Sequence, residues 1–387
     1  MKKVLILIIL FAICTGLAAQ STSSKSSTNT SPFLFEKGNT SVKFGGFVRF
    51  VTLADFGGVV PNFDFVSSTM PAPGEWDKEH RLSMDASATR LNLKVVQKTE
   101  SLGDVEFYIE TDFRGAADVL RLRQAYISFK GFTFGQAWSL MTDFAANTTL
   151  IDIQGVNSRT FFRTPLISYK ANLDENLSFG ASLEFPRVKA TIQANSGIRA
   201  VNQTFPDIPL YLQYKGKRGH IKLAGLLRAM DYGINSTEKI KTELGAGAQL
   251  SWSLKLDEKF TLVSQSIYGK GVARYINDLA ALNLDLAPAQ GSKLQSLPMY
   301  GLSLGMRADF SKKLFATSNY SIAGLTNKDD YYSAGEYFKG NYFSASLFYA
   351  GIKNMTIAGE YIHGYRKNMN STWGSANRLQ VMFMYSW

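Results

Sequence analysis

Arg121 and Arg123 stand two residues apart in Leu-Arg-Leu-Arg-Gln-Ala-Tyr (120–126), a stretch with the period of a β-strand. Both guanidinium groups therefore fall on one side of whatever wall that strand builds. Arg49, Arg90, Lys94 and Arg114 lie on neighbouring alternating segments, and Arg159 and Arg163 flank the end of a long connector. Guanidinium groups gathered in a confined aqueous space concentrate anions and hold planar carboxylates through paired hydrogen bonds. The acids Glu106, Glu110, Asp112 and Asp152 share these segments, so a transverse field is expected rather than a purely positive ring. The chemistry on offer is guidance of small anions.

Covalent or metal chemistry finds less support. His80, His220 and His363 are scattered, with no paired spacing for a metal. No serine, histidine and orienting polar group can be assigned to one wall. Gly45-Gly46 and Gly57-Gly58 lack the strand-to-helix setting of a phosphate loop. No catalytic residue, cofactor, metal or nucleic-acid partner is expected, and the chain reads as a non-enzyme.

The elements that must carry the arginines are strands. Between residues 41 and 387, alternation and Gly, Asp, Asn and Pro punctuation mark sixteen candidate strands. Short connectors such as Lys130-Gly131, Gly216-Lys217-Arg218 and Ser311-Lys312 alternate with mostly longer ones at 57–86, 141–162, 186–207, 229–241, 273–296, 324–337 and 367–374. In 244–254 the residues Leu244, Ala246, Ala248, Leu250, Trp252 and Leu254 share one face, and Gly245, Gly247, Gln249, Ser251 and Ser253 share the other. The closing segment does the same, with Leu379, Val381, Phe383, Tyr385 and Trp387 on one side. Mean hydropathy is −0.08, which is what a wall with one lipid face and one polar face averages to. Aromatics near strand ends, among them Phe44, Tyr126, Phe132, Trp138, Tyr214, Tyr268 and Tyr385, are expected to form interfacial girdles.

At the start, Lys2 and Lys3, an apolar run from Val4 to Cys14 and small residues before Gln20 form a signal peptide over 1–19. Its removal leaves 20–40 as a Ser/Thr-rich periplasmic leader and takes away the chain's single cysteine. The fold expected for 41–387 is an all-β transmembrane antiparallel barrel of sixteen strands, with short periplasmic turns and long outer loops. Arginine is costly in lipid, so the arginine side is the lumen. A barrel this wide leaves an aqueous channel, and the connector 141–162 is long enough to fold in and narrow it. Removing Lys2 and Lys3 from 42 basic residues leaves 40 against 31 acidic ones, a bias toward anions. A structural or adhesin-type barrel remains the alternative from another class.

Gly46-Phe47-Val48-Arg49, the Thr-Arg-Leu-Asn-Leu of 89–93, Gly103 to Phe113, Leu120 to Tyr126, Phe134 to Leu140 and Arg163-Thr-Pro follow one another in an order that resembles the trimeric DcaP-type outer-membrane porins. The resemblance is carried by about residues 41–170, and beyond them by strand and loop rhythm. It implies a homotrimer in the outer membrane, in contact with lipid and lipopolysaccharide, that passes small anionic solutes, dicarboxylates in particular. It further implies that Arg49, Arg90, Arg114, Arg121, Arg123 and Arg163 match basic positions of the pattern, whereas 20–40 lacks the heptads of a coiled-coil stalk. A phosphate-selective or general porin is the rival within the class.

Overall fold

The computed structural model describes residues 33–72, 79–116, 119–289, 293–326 and 335–387. The expected signal peptide and the leader as far as residue 32 lie outside them. Leu34–Lys37, the part of the expected leader nearest the barrel, pairs antiparallel with Thr40–Lys43 and is strand rather than free chain.

The period-two pattern becomes a closed antiparallel barrel of sixteen strands among the described residues. In order they are β1 (Thr40–Phe56), β2 (in two pieces, Arg81–Asp85 and Arg90–Thr99), β3 (Gly103–Asp112), β4 (Arg121–Phe129), β5 (Phe132–Trp138), β6 (Arg163–Asn172), β7 (Leu177–Glu184) and β8 (Ile208–Gly216). The second half comprises β9 (Gly219–Ile234), β10 (Ile240–Lys255), β11 (Phe260–Lys270), β12 (Pro298–Asp309), β13 (Leu314–Leu325), β14 (Tyr337–Ile352), β15 (Met355–Asn368) and β16 (Trp373–Ser386). Each strand pairs with its sequence neighbour, and β16 closes on β1 with Phe47–Phe56 against Asn377–Ser386. Closure leaves no strand edge unpaired in lipid. At the seam the Trp387 N–H donates to the Gly46 carbonyl at 3.2 Å. Gly46 leaves room for the Trp387 ring, which a Cβ there would meet at 3.0 Å.

The two faces fall as the alternation requires. On β10, Leu244 is 72% exposed while Ser251 is fully buried, an apolar exterior around a polar lumen. Two expectations change. β9 and β10 run on to Ile234 and from Ile240, through most of the expected loop 229–241. On β9, Met230, Tyr232 and Ile234 pack against Ile198, Leu286 and Leu294 and Asp231 and Gly233 are buried as well, so the alternation that marks a membrane strand disappears there, while Ile240–Thr242 of β10 are exposed on both faces. Tyr126 and Trp138 also leave the expected girdle and line a lumenal cavity.

A β-bulge explains Tyr126. Glu110 pairs with Gln124 but Thr111 pairs with Leu122, leaving Arg123 as the extra residue. The bulge sends Arg123 and Gln124 inward in succession and reverses the parity of everything after them. Pairing of β4 with β5 begins only at Ala125 and Gln136, so the bulge's carbonyls need another donor. The Gln136 amide provides it, donating to Leu122 O at 3.2 Å and Arg123 O at 3.0 Å. Gln136→Ala should therefore cost about 1–3 kcal/mol, the penalty of an unmet acceptor. A lowered urea midpoint for the refolded barrel would show it, and an unchanged midpoint would refute this role.

Candidate functional site: the lumenal constriction

β5 ends after seven residues, and the chain turns from the wall into the lumen. Residues 139–162 then cross to the far side, where inward side chains of β9 to β15 receive their backbone. Lys222 donates to Leu140 O at 2.8 Å and Thr142 O at 3.1 Å, and Gln249 to Met141 O at 2.8 Å. Thr317 donates to Thr149 O at 2.8 Å. The Glu360 carboxylate accepts from the N–H groups of Ile151 and Asp152 at 2.9 and 2.8 Å. Asn157 is held between Ser321 Oγ and Gly340 O. Loop 139–162 thus lies against one half of the barrel.

Two more segments stack on it. Asn277 and Asp278 donate their N–H groups to Arg159 O and Asn157 O, both at 3.0 Å. The Ser68 N–H donates to the Asp278 carboxylate at 3.1 Å. Residues 273–289 are anchored in turn by Arg228, whose guanidinium reaches Asp207 at 3.0 Å and Asp285 at 2.5 Å. Inward folding of 273–289 was not among the expectations from sequence.

The opposite wall stays open and carries most of the candidate charges. Arg123 bridges Glu110 at 2.7 Å and Asp112 at 2.8 Å, and Arg121 reaches Asp112 at 2.7 Å. Arg90 lies 3.6 Å from Glu110, and Lys94 2.6 Å from Glu106. Arg163 has no carboxylate or hydrogen-bond partner among the described residues. Its guanidinium stacks 4.7 Å from the Trp138 ring centroid, within electrostatic range of Arg90, Arg121 and Arg123.

Arg49, Arg114, Arg159 and Asp152 are placed apart from that wall. Arg49 is buried and donates to Ile151 O, while Arg114 takes Asp64 at 2.6 Å and Asp85 at 3.2 Å. Arg159 is buried on Ile153 O at 2.6 Å, 3.7 Å above the Phe161 ring. Asp152 accepts from Phe65 N, Gly155 N and Tyr342 Oη. These four brace the loops.

The DcaP outer membrane protein family model matches residues 14–387. The chain belongs to the DcaP outer membrane protein family. No curated protein sequence matches it. The crystal structure of the outer membrane channel DcaP of Acinetobacter baumannii superposes with a TM-score of 0.78 at 20% identity, over 91% of this chain and 99% of that one. The anion-selective porin from Comamonas acidovorans gives 0.61 at 11% identity, over 90% and 100%. In-vitro folded OmpT of Vibrio cholerae gives 0.56 at 12%, over 92% and 99%. At these identities the three structures speak to the fold alone. With family membership, they make this chain an outer-membrane channel of DcaP type.

Several charged residues of this DcaP-family channel were missed by sequence reasoning: Lys222, Arg228, Glu360 and Arg378, the last buried on Asp55 at 2.6 Å. Each is a lone charge in mid-strand at an inward position, a signal present in the alternation. A hydrogen-bonded series of serine, histidine and carboxylate also exists, against expectation. Ser253 Oγ lies 2.8 Å from His220 Nδ1, and His220 Nε2 lies 2.7 Å from Asp143. Ser251 also binds that carboxylate, at 2.5 Å, so the series works as an anchor for the first turn of the loop. Burial acts to raise the Asp143 carboxyl, but hydrogen bonds from His220 and Ser251 outweigh it and hold it below its ordinary value. Among the described residues no group of three metal-ligating side chains occurs.

Where the three loops meet, carboxyls shift upward. Burial pushes Asp278 up to about 8 against the donors of Ser67 and Ser68. Burial, with the Asp64 and Glu360 carboxylates adding to it, pushes Asp152 up to about 7. A folded-state pKa above the ordinary carboxylate value means that protonation favours the packed loops. Their contribution is complete in acid and is lost as pH rises through about 7 and then about 8. Open-channel current noise should grow between pH 6 and pH 9, and Asp278→Asn should flatten the rise. The same pH dependence in the variant would contradict this assignment.

Proposed function

We propose that this channel is a diffusion pore selective for small anions, with dicarboxylates as its preferred solutes. The observation that carries the reading is Arg163, a guanidinium with no carboxylate of its own beside Arg90, Arg121 and Arg123. The wall there holds five cations, Arg90, Lys94, Arg121, Arg123 and Arg163, against the three acids Glu106, Glu110 and Asp112. Paired arginines keep their geometry, and the unpaired one offers a bidentate site to a passing carboxylate. A second carboxylate of a short diacid meets the neighbouring guanidiniums. Arginine's rigid fork holds a planar carboxylate through paired hydrogen bonds where lysine offers a point charge. The likeness to an anion-selective porin agrees with this reading.

Assembly follows from wall height. β5 has seven residues and β7 eight, fewer than the roughly nine to eleven that cross a bilayer. Outside this low wall lies an apolar cavity of about 350 Å³ lined by Pro165, Ile167, Leu183 and Phe185. A wall too short for lipid is best covered by another copy, and we assign it to the contact of a homotrimer. The remaining exterior meets lipid and lipopolysaccharide, after export by a signal peptide over residues 1–19 that is then cleaved.

In planar bilayers under a salt gradient, the wild-type reversal potential should favour the anion and succinate should block the current. Arg163→Gln should weaken succinate block about tenfold, the scale of one charge-assisted hydrogen bond, and bring the permeability ratio toward unity. A cation-selective wild type would overturn the reading, and stronger block by phosphate than by succinate would replace dicarboxylates with phosphate.

A further inference from the structure

Beside the arginine wall, on the side of the short turns, the lumen contains a cavity of about 360 Å³. Its polar lining includes Gln124, Ser128, Thr133, Ser168, Lys170 and Gln213. Short turns mark the periplasmic end of such a barrel. The backbone supports this level for Lys170, whose N–H donates to Gly131 O in the β4–β5 turn at 2.9 Å.

Two lysines line the cavity and differ in their commitments. The Lys222 ammonium is spent on Leu140 O and Thr142 O and lies 4.5 Å over the Tyr211 ring. That ring lies flat against β7 because Gly180 leaves it room. Lys170 is exposed, with no carboxylate or carbonyl partner for its ammonium among the described residues. The one acid in the lining, Asp143, is held by His220 and Ser251, and the rest of the polar lining is neutral: the amides of Gln124 and Gln213 and the hydroxyls of Ser128, Thr133 and Ser168 both donate and accept. A single free ammonium amid such groups suits a solute with one carboxylate to pair and several hydroxyls to bond.

We propose a second solute-binding station at Lys170, on the periplasmic side of the arginine wall, that takes hydroxylated carboxylates such as sugar acids and hydroxy-diacids. It rests on the reading that this channel passes anions. Lys170 supplies the charge and the amides and hydroxyls supply discrimination, so solutes with equal charge but different hydroxyl content separate here rather than at the arginines.

Tartrate and succinate form a matched pair, with the same carbon chain and the same charge. Added on the short-turn side of wild-type channels in a planar bilayer, tartrate should block more strongly than succinate. Lys170→Gln should weaken tartrate block about fivefold, the loss of roughly one solvent-exposed charge contact, and Lys170→Arg should retain it. A combined Ser128→Ala and Ser168→Ala variant should lose the preference for tartrate while succinate block stays unchanged. Equal block by the two acids in wild type, or tartrate block untouched in Lys170→Gln, would overturn the station while the anion-selective reversal potential persisted. A wild-type channel without anion selectivity would overturn the underlying reading, and the station with it.

Discussion

A chain that leaves the wall of a barrel and enters its lumen carries its backbone N–H and C=O groups with it, and each of them needs a partner. Residues 139–162 meet this constraint away from β2 to β6, with Glu184 of β7 taking the Leu140 N–H and Arg49 of β1 donating to Ile151 O. Lys222, Gln249, Thr317 and Glu360 reach from β9 to β15 and take up the loop's carbonyls and amides. The wall of β2 to β6 offers the loop's backbone no comparable set. The loop is consequently drawn to one half of the barrel, and the other half is left for water and solute.

The division of charge follows. Cations in the braced half are consumed by carbonyls and carboxylates: Lys222 by the loop, Arg228 by Asp207 and Asp285, Arg378 by Asp55. Arg49, Arg114 and Arg159 join them at the seams between loops. Breaking such a buried partnership leaves a bare charge behind and costs more than the pair contributes. On the other half Arg123 is likewise buried on Glu110 and Asp112, but Arg90, Lys94 and Arg121 stay partly exposed and Arg163 has no carboxylate partner among the described residues. The proposed anion selectivity therefore rests less on total positive charge than on which cations the loops leave uncommitted.

Much of this was legible in the sequence. All sixteen strands fall where alternation put them, because a lipid face and a water face impose period two on a membrane strand. Inward placement of Arg90, Lys94, Arg121 and Arg123 followed from the same rule. It failed where its cause was absent. β9 runs past Arg228 into a region where both its faces are buried, and the start of β10 into one where both are exposed. The bulge at Arg123 inserts one residue and turns Tyr126 from the expected girdle to the lumen, and no residue type announces it. Partners were least legible of all. Residue type does not distinguish Arg159, folded onto Ile153 and Phe161 of its own loop, from Arg163, which stacks on Trp138 with no carboxylate partner among the described residues.

The central claim is that loop 139–162 and its neighbours seal one half of the lumen and leave the other open. The mature chain is expected to have no cysteine, so single cysteines can report access directly. In refolded channels, cysteines at Ser128 and Thr133, both partly exposed on the open wall, should react quickly with a small anionic thiosulfonate and reduce the current. Cysteines at Ser251, Ser321 and Ser344, all buried beneath the loops, should react far more slowly and leave conductance unchanged. Similar labelling rates on the two walls would contradict the account.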